Sequence, residues 1–134
     1  MTVMLKQALE ELDGEVSAYR RLSSMLDKQF QVATRLDTAS LACVSEAIAQ
    51  EVHCLEGRRR QRSQLLTVAS TLANRLPAAR GTVAHRAVEQ RCTELKELAT
   101  ICKAATLRNG QLLASQYDAM QRVLQGERHT YAPA

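Results

Sequence analysis

A chain of 134 residues, 46% apolar and 24% charged, has the size and balance of a single folded domain and not of a disordered tail. Its net charge of +4 comes from both signs interspersed along the sequence, so no long block of one sign marks a nucleic-acid or membrane arm. No apolar run approaches the roughly 20 residues that span a bilayer, and the first residues lack the layout of a signal peptide. No membrane insertion is expected, and a cytoplasmic protein is the straightforward reading.

Three Tyr, one Phe and no Trp leave little aromatic bulk for a globular core. The apolar surface is expected to run as a thin seam of Leu, Val and Ala. Two Pro and five Gly supply little turn material, so the elements should be few and long.

The spacing predicts a first helix over 3–35. Leu5, Leu9, Leu12, Val16, Tyr19, Leu26, Phe30 and Ala33 follow alternating four- and three-residue steps interrupted only at Ser23, which is coiled-coil periodicity. Such a helix is about 50 Å long. Leu36 to Ser40 form a turn, with Asp37 or Thr38 able to cap the next helix.

The second helix is expected over 39–75. Leu41, Val44, Ile48, Val52 and Leu55 give one apolar stripe, and Leu65, Val68 or Ala69, and Leu72 a second. Between them Glu56 to Gln64 contains four arginines and no large apolar residue. Helices joined by a short turn pack antiparallel, which sets Arg58–Arg62 level with Leu12–Ser17 and Gly57 near the height of Gly14. The run then reads as a solvated face complemented by Glu10, Glu11, Asp13 and Glu15. A phosphate-binding patch is the alternative, although it lacks aromatics for base stacking.

Pro77 and Gly81 break the pattern. A third helix is expected from Thr82, as N-cap, to about Leu124, with Gly126 as its stop. Val88, Leu95, Leu98, Cys102, Ala105, Leu112, Met120 and Val123 mark its seam. Residues 1–126 thus read as one helical domain and 127–134 as a mobile tail. The fold class is all-α: three long helices in an elongated, antiparallel, coiled-coil-like bundle.

Asn109-Gly110 is a turn signal, yet apolar helical spacing continues on both sides of it. A Gly inside a helix costs about 1 kcal/mol relative to Ala, so either a close packing contact or a partner surface should favour the pair. Cys43, Cys54, Cys92 and Cys102 show neither a Cys-x-x-Cys pair nor zinc spacing to His53, His85 or His129; they read as small, reduced, partly buried helix residues. There is no nucleophile–base constellation and no glycine-rich phosphate loop. No enzymatic activity, catalytic residue, metal or cofactor is expected.

Three long helices, the segment Asn109-Gly110-x-Leu112-Leu113-x-x-Gln116 near the end of the last, and a tail carrying Tyr131 resemble the FlgN family of flagellar type III export chaperones. The length agrees, as does Leu55-Glu56 followed by arginines. The resemblance implies a protein that binds the C-terminal helices of the two hook–filament junction proteins, hook-associated proteins 1 and 3. It would prevent their premature assembly and deliver them to the export gate protein of the flagellar export apparatus. It places client binding in the C-terminal part, where Leu112, Leu113 and Gln116 match directly. It also implies docking at the export gate by Tyr131, although Thr130-Tyr131-Ala132 departs from the Leu-Tyr-Gly context of the family.

Helix-in-groove recognition suits such a task. Asn109 can specify register in the seam or bond to a client backbone. Leu112 and Leu113 lie about 100° apart on the helix, so one can face the seam and the other the client, the alternative being that the whole stripe belongs to the core. Met120, Val123 and Leu124 extend the same broad face, and an adaptable Met suits two different clients. A coiled-coil adaptor without an export role is the competing reading, and nucleic acid is not an expected partner.

Overall fold

In the computed structural model the chain forms three helices, α1 (Thr2–Thr34), α2 (Thr38–Arg75) and α3 (Val83–Tyr131). Residues 2–75 and 81–131 are described, without the side chains of 2, 4, 66, 68–75 and 127–131. There is no strand among the described residues. The break at Pro77 and the side chains of Val68, Ala69 and Leu72 fall outside the described residues. Leu65, the remaining member of that stripe, is half-buried.

The turn between α1 and α2 is built by hydrogen bonds that the end of any helix needs. The Leu36 N–H donates to Ala33 O at 3.1 Å and the Asp37 N–H to Val32 O at 3.0 Å, which together close a Schellman motif. Leu36 takes the left-handed position, at φ 60°, where Gly is the usual occupant. Asp37 then caps α2, its Oδ1 accepting from the Ser40 N–H at 3.1 Å. Hydrogen bonding from the Ser40 side chain, and then from this N–H, holds the Asp37 carboxyl below its ordinary range. At the other end Thr82 Oγ1 accepts from the His85 N–H at 3.2 Å and starts α3.

Cross-helix partners fix the register. Arg21 pairs with Glu51 at 3.2 Å, and Gln29 donates to Ser45 at 3.1 Å, so α2 runs antiparallel to α1 in the register expected from the short turn. Arg91 pairs with Asp13 at 2.6 Å, Arg20 with Glu94, and Gln116 donates to Ala33 O at 2.8 Å, so α3 runs parallel to α1. The central helix is α1, packed extensively against both others, while α2 and α3 touch each other little among the described residues.

Its central place explains why α1 buries more than the single predicted seam. Leu12, Val16, Val88 and Leu95 form one core cluster between α1 and α3. Ala18, Leu22, Leu26, Leu55, Cys102 and Ala105 form a second, joining all three helices. Burying each Leu of these clusters stabilises the fold by about 2 kcal/mol. Cys92 and Cys102 sit in this packing, where burial pushes both thiols up. Cys43 and Cys54 are exposed instead, because the apolar face of α2 is narrow.

The arginine segment lies beside α1 at the predicted height and is largely a solvated face, with Arg59 and Arg60 exposed, but Arg62 turns inward to Glu15. Glu15 is wholly buried. Arg62 Nε lies 3.3 Å from Glu15 Oε2, yet neither carboxylate oxygen accepts a hydrogen bond among the described residues. Burial therefore raises the Glu15 pKa above its ordinary 4.5, against the opposing pull of Arg62, Arg59 and Arg58. Gly14 leaves room for Arg58 to cross α1, since a Cβ there would collide with its guanidinium. Asp13, expected beside the arginine run, pairs with Arg91 of α3 instead.

Candidate functional site

The segment around Asn109-Gly110 is helical without interruption. Asn109 is 3% exposed, because it sits where a seam residue of α3 meets α1. Its Nδ2 donates to Leu26 O and to Gln29 Oε1, both at 2.8 Å. Its Oδ1 accepts from Arg108 Nε at 3.1 Å. Gln29 passes the connection to Ser45, so a chain of hydrogen bonds crosses from α3 through α1 to α2. A buried polar network satisfied in this way fixes register, since any slip would strand its members.

Arg108 completes the node from outside. Its guanidinium lies 4.3 Å above the Phe30 ring and reaches Asp27 at 3.3 Å. Gly110 points the other way, and a Cβ at that position would meet nothing within 4 Å. Close packing inside the bundle is therefore not what favours the glycine.

Beyond the node the seam of α3 changes character. Leu112 and Leu113 are both half-buried, so neither is cleanly divided between core and surface. Gln116, one turn on, bonds to the next-to-last residue of α1. Past this level α1 has ended and the chain has turned into α2. The α3 helix nevertheless continues to Tyr131, running through Gly126 and past the expected stop near Leu124. These last 15 residues project about 22 Å beyond the level of Gln116.

The projecting part keeps the apolar phase of the packed part. Met120 and Val123 follow Ala105, Asn109, Leu112 and Gln116 in three- and four-residue steps, one face of a helix. They are 64% and 61% exposed, and Leu124 and Tyr117 beside them are 46% and 63% exposed. Tyr131 is the last residue of α3, with its side chain outside the described set.

The structure thus separates the predicted residues into two groups. Asn109 and Gln116 are bound to α1, while Met120, Val123 and Leu124 stand free of it. Leu112 and Leu113 mark the boundary. What sequence reasoning missed is the break itself, which depends on where α1 ends relative to α3. The positions of the α1–α2 turn and of the polar pair Asn109 and Gln116 could have located it.

The arginine segment is the other candidate. Arg59 and Arg60 are exposed while Arg62 is turned toward Glu15, and Glu56 lies among them in an open surface hollow. The acid and the open shape give no enclosed anion site. No helix is long and apolar enough to cross a membrane among the described residues.

No curated protein and no solved structure gives a significant match. The family model described as FlgN protein matches residues 1–130, nearly the whole chain. This is a family of chaperones and not of enzymes. The chain belongs to the FlgN family of flagellar export chaperones.

Proposed function

We propose that this chaperone holds the C-terminal helices of hook-associated proteins 1 and 3 on the projecting part of α3, in the cytoplasm, until they are exported. The supporting observation is the apolar seam that continues in phase past the end of α1 with nothing covering it among the described residues. Junction subunits bury their terminal helices against other subunits only after export. Before then an apolar stripe is exposed, and a second stripe on a rigid helix can cover it.

Within this reading Met120, Val123 and Leu124 are the direct client contacts. Leu112 and Leu113 form the inner edge of the surface. Asn109 and Gln116 act by holding α3 in register on α1, so that the projecting turns are presented in a fixed direction. Tyr131, at the end of the same helix, is assigned to docking at the export gate protein, where delivery occurs.

The test is titration of the full chain with isolated C-terminal segments of hook-associated proteins 1 and 3. Near-stoichiometric binding is expected, lost in Met120→Asp and Val123→Asp while the far-UV helical signal is kept. Absence of binding to both segments overturns the reading in favour of an adaptor without an export role. Tyr131→Ala should leave client binding intact and reduce secretion of the junction proteins; loss of client binding itself would remove the separate docking role.

A further inference from the structure

We propose that Leu36, at the tip of the α1–α2 turn, is a client-contacting residue that forms one apolar corner with the projecting seam of α3. The proposal rests on the chaperone reading above and adds a second element to the surface.

Three observations converge on it. Leu36 is 71% exposed, so its side chain contributes little to the bundle. It occupies the left-handed position of the Schellman turn, at φ 60°, where glycine closes the same hydrogen bonds without a Cβ penalty. The fold alone would therefore favour another residue here. Finally, the register that sets Gln116 on Ala33 brings Leu36 level with Met120, at the base of the projecting seam. The turn and the base of the projecting seam therefore share one height along the bundle.

The occupant that fits such a corner is an amphipathic helix lying along α3 as a continuation of the line of α1. The α1–α3 interface is itself apolar helix-on-helix packing, and the projecting residues continue its phase. A client helix would repeat that packing on Met120, Val123 and Leu124, with its end turn resting on Leu36. These four residues offer the occupant an apolar shape, flanked by the exposed Arg35, Asp37, Asp118 and Arg122 of both signs.

The two roles of Leu36 pull in opposite directions, which makes them separable. Leu36→Gly should raise the melting temperature by a few degrees by relieving the left-handed strain. It should also weaken binding of the C-terminal segment of hook-associated protein 1 about tenfold, the loss given by truncating one buried interface anchor. Leu36→Asn, which tolerates the same backbone, should weaken binding similarly with the fold intact, and Leu36→Met should retain it. If both Leu36→Gly and Leu36→Asn bind as tightly as the parent chain, the corner is wrong although the chaperone reading stands. If the parent chain binds neither junction segment, the chaperone reading fails and the corner with it.

Discussion

The two parts of α3 carry the same apolar phase and meet different fates. From Val88 to Asn109 the seam lies against α1, with Leu95 at 2% exposure and Asn109 at 3%. From Tyr117 to Leu124 a face of similar chemistry is open to solvent, Met120 at 64%. Composition does not distinguish them; the length of α1 does. The difference teaches that exposed and packed apolar surface are here one continuous seam, divided by where a neighbouring helix stops. The packed part can then be rigid while the free part stays available, because the register node at Asn109 and Gln116 separates them.

The comparison predicts large stability effects on the packed side and small ones on the projecting side. The largest belongs to Arg62→Met, which leaves the buried carboxylate of Glu15 with only Arg59 and Arg58 as opposing charges and should destabilise the fold by about 3 kcal/mol. Urea denaturation would check this, and an unchanged midpoint would mean that water or Arg58 already screens Glu15. Next comes Asn109→Ala. Losing the hydrogen bonds to Leu26 and Gln29 should cost about 2 kcal/mol, with slippage of α3 visible as loss of the disulfide formed by a cysteine pair placed at that level. Gly110→Ala should act in the other direction, stabilising by about 1 kcal/mol, since nothing opposes the added methyl. At the small end, Val123→Ala should leave the denaturation midpoint unchanged within about 0.5 kcal/mol.

Acidity gives a further handle on the packed side. Because the folded-state pKa of Glu15 is raised above its ordinary 4.5, the folded chain holds more protons than the unfolded one in the window above 4.5. Stability from this group therefore falls as pH rises through that window and is regained as pH drops back. Glu15→Gln, which carries no charge to bury, should melt higher than the parent at pH 7 and lose that advantage toward pH 4. A constant difference across the range would show that the carboxylate is not the cause.

Much of this architecture was legible in the sequence. The four–three spacing of α1 and the turn at Leu36 gave the helices, and the shortness of that turn set Arg62 at the height of Glu15. The burial of Glu15 was not legible, because it falls on a second stripe of α1, with Ala8 and Leu22, that matters only for a helix packed on two sides. The role of Asn109 was half legible: its polar side chain in a seam suggested register, but Gln29 and Ser45 as partners depend on tertiary positions. Gly126 suggested a stop that α3 does not make, since a single glycine costs a long helix too little to end it. Among the residues proposed for client contact, the apolar types were visible and their exposure was not, because exposure depends on where α1 ends.

The central claim is that the client covers the projecting seam and leaves the packed seam untouched. Amide hydrogen exchange on the full chain, with and without the C-terminal segment of hook-associated protein 1, tests it most directly. The account predicts slow exchange over 88–109 in both states and new protection on binding over 117–124. Protection appearing instead along the arginine segment of α2, or binding without any change over 117–124, would contradict it.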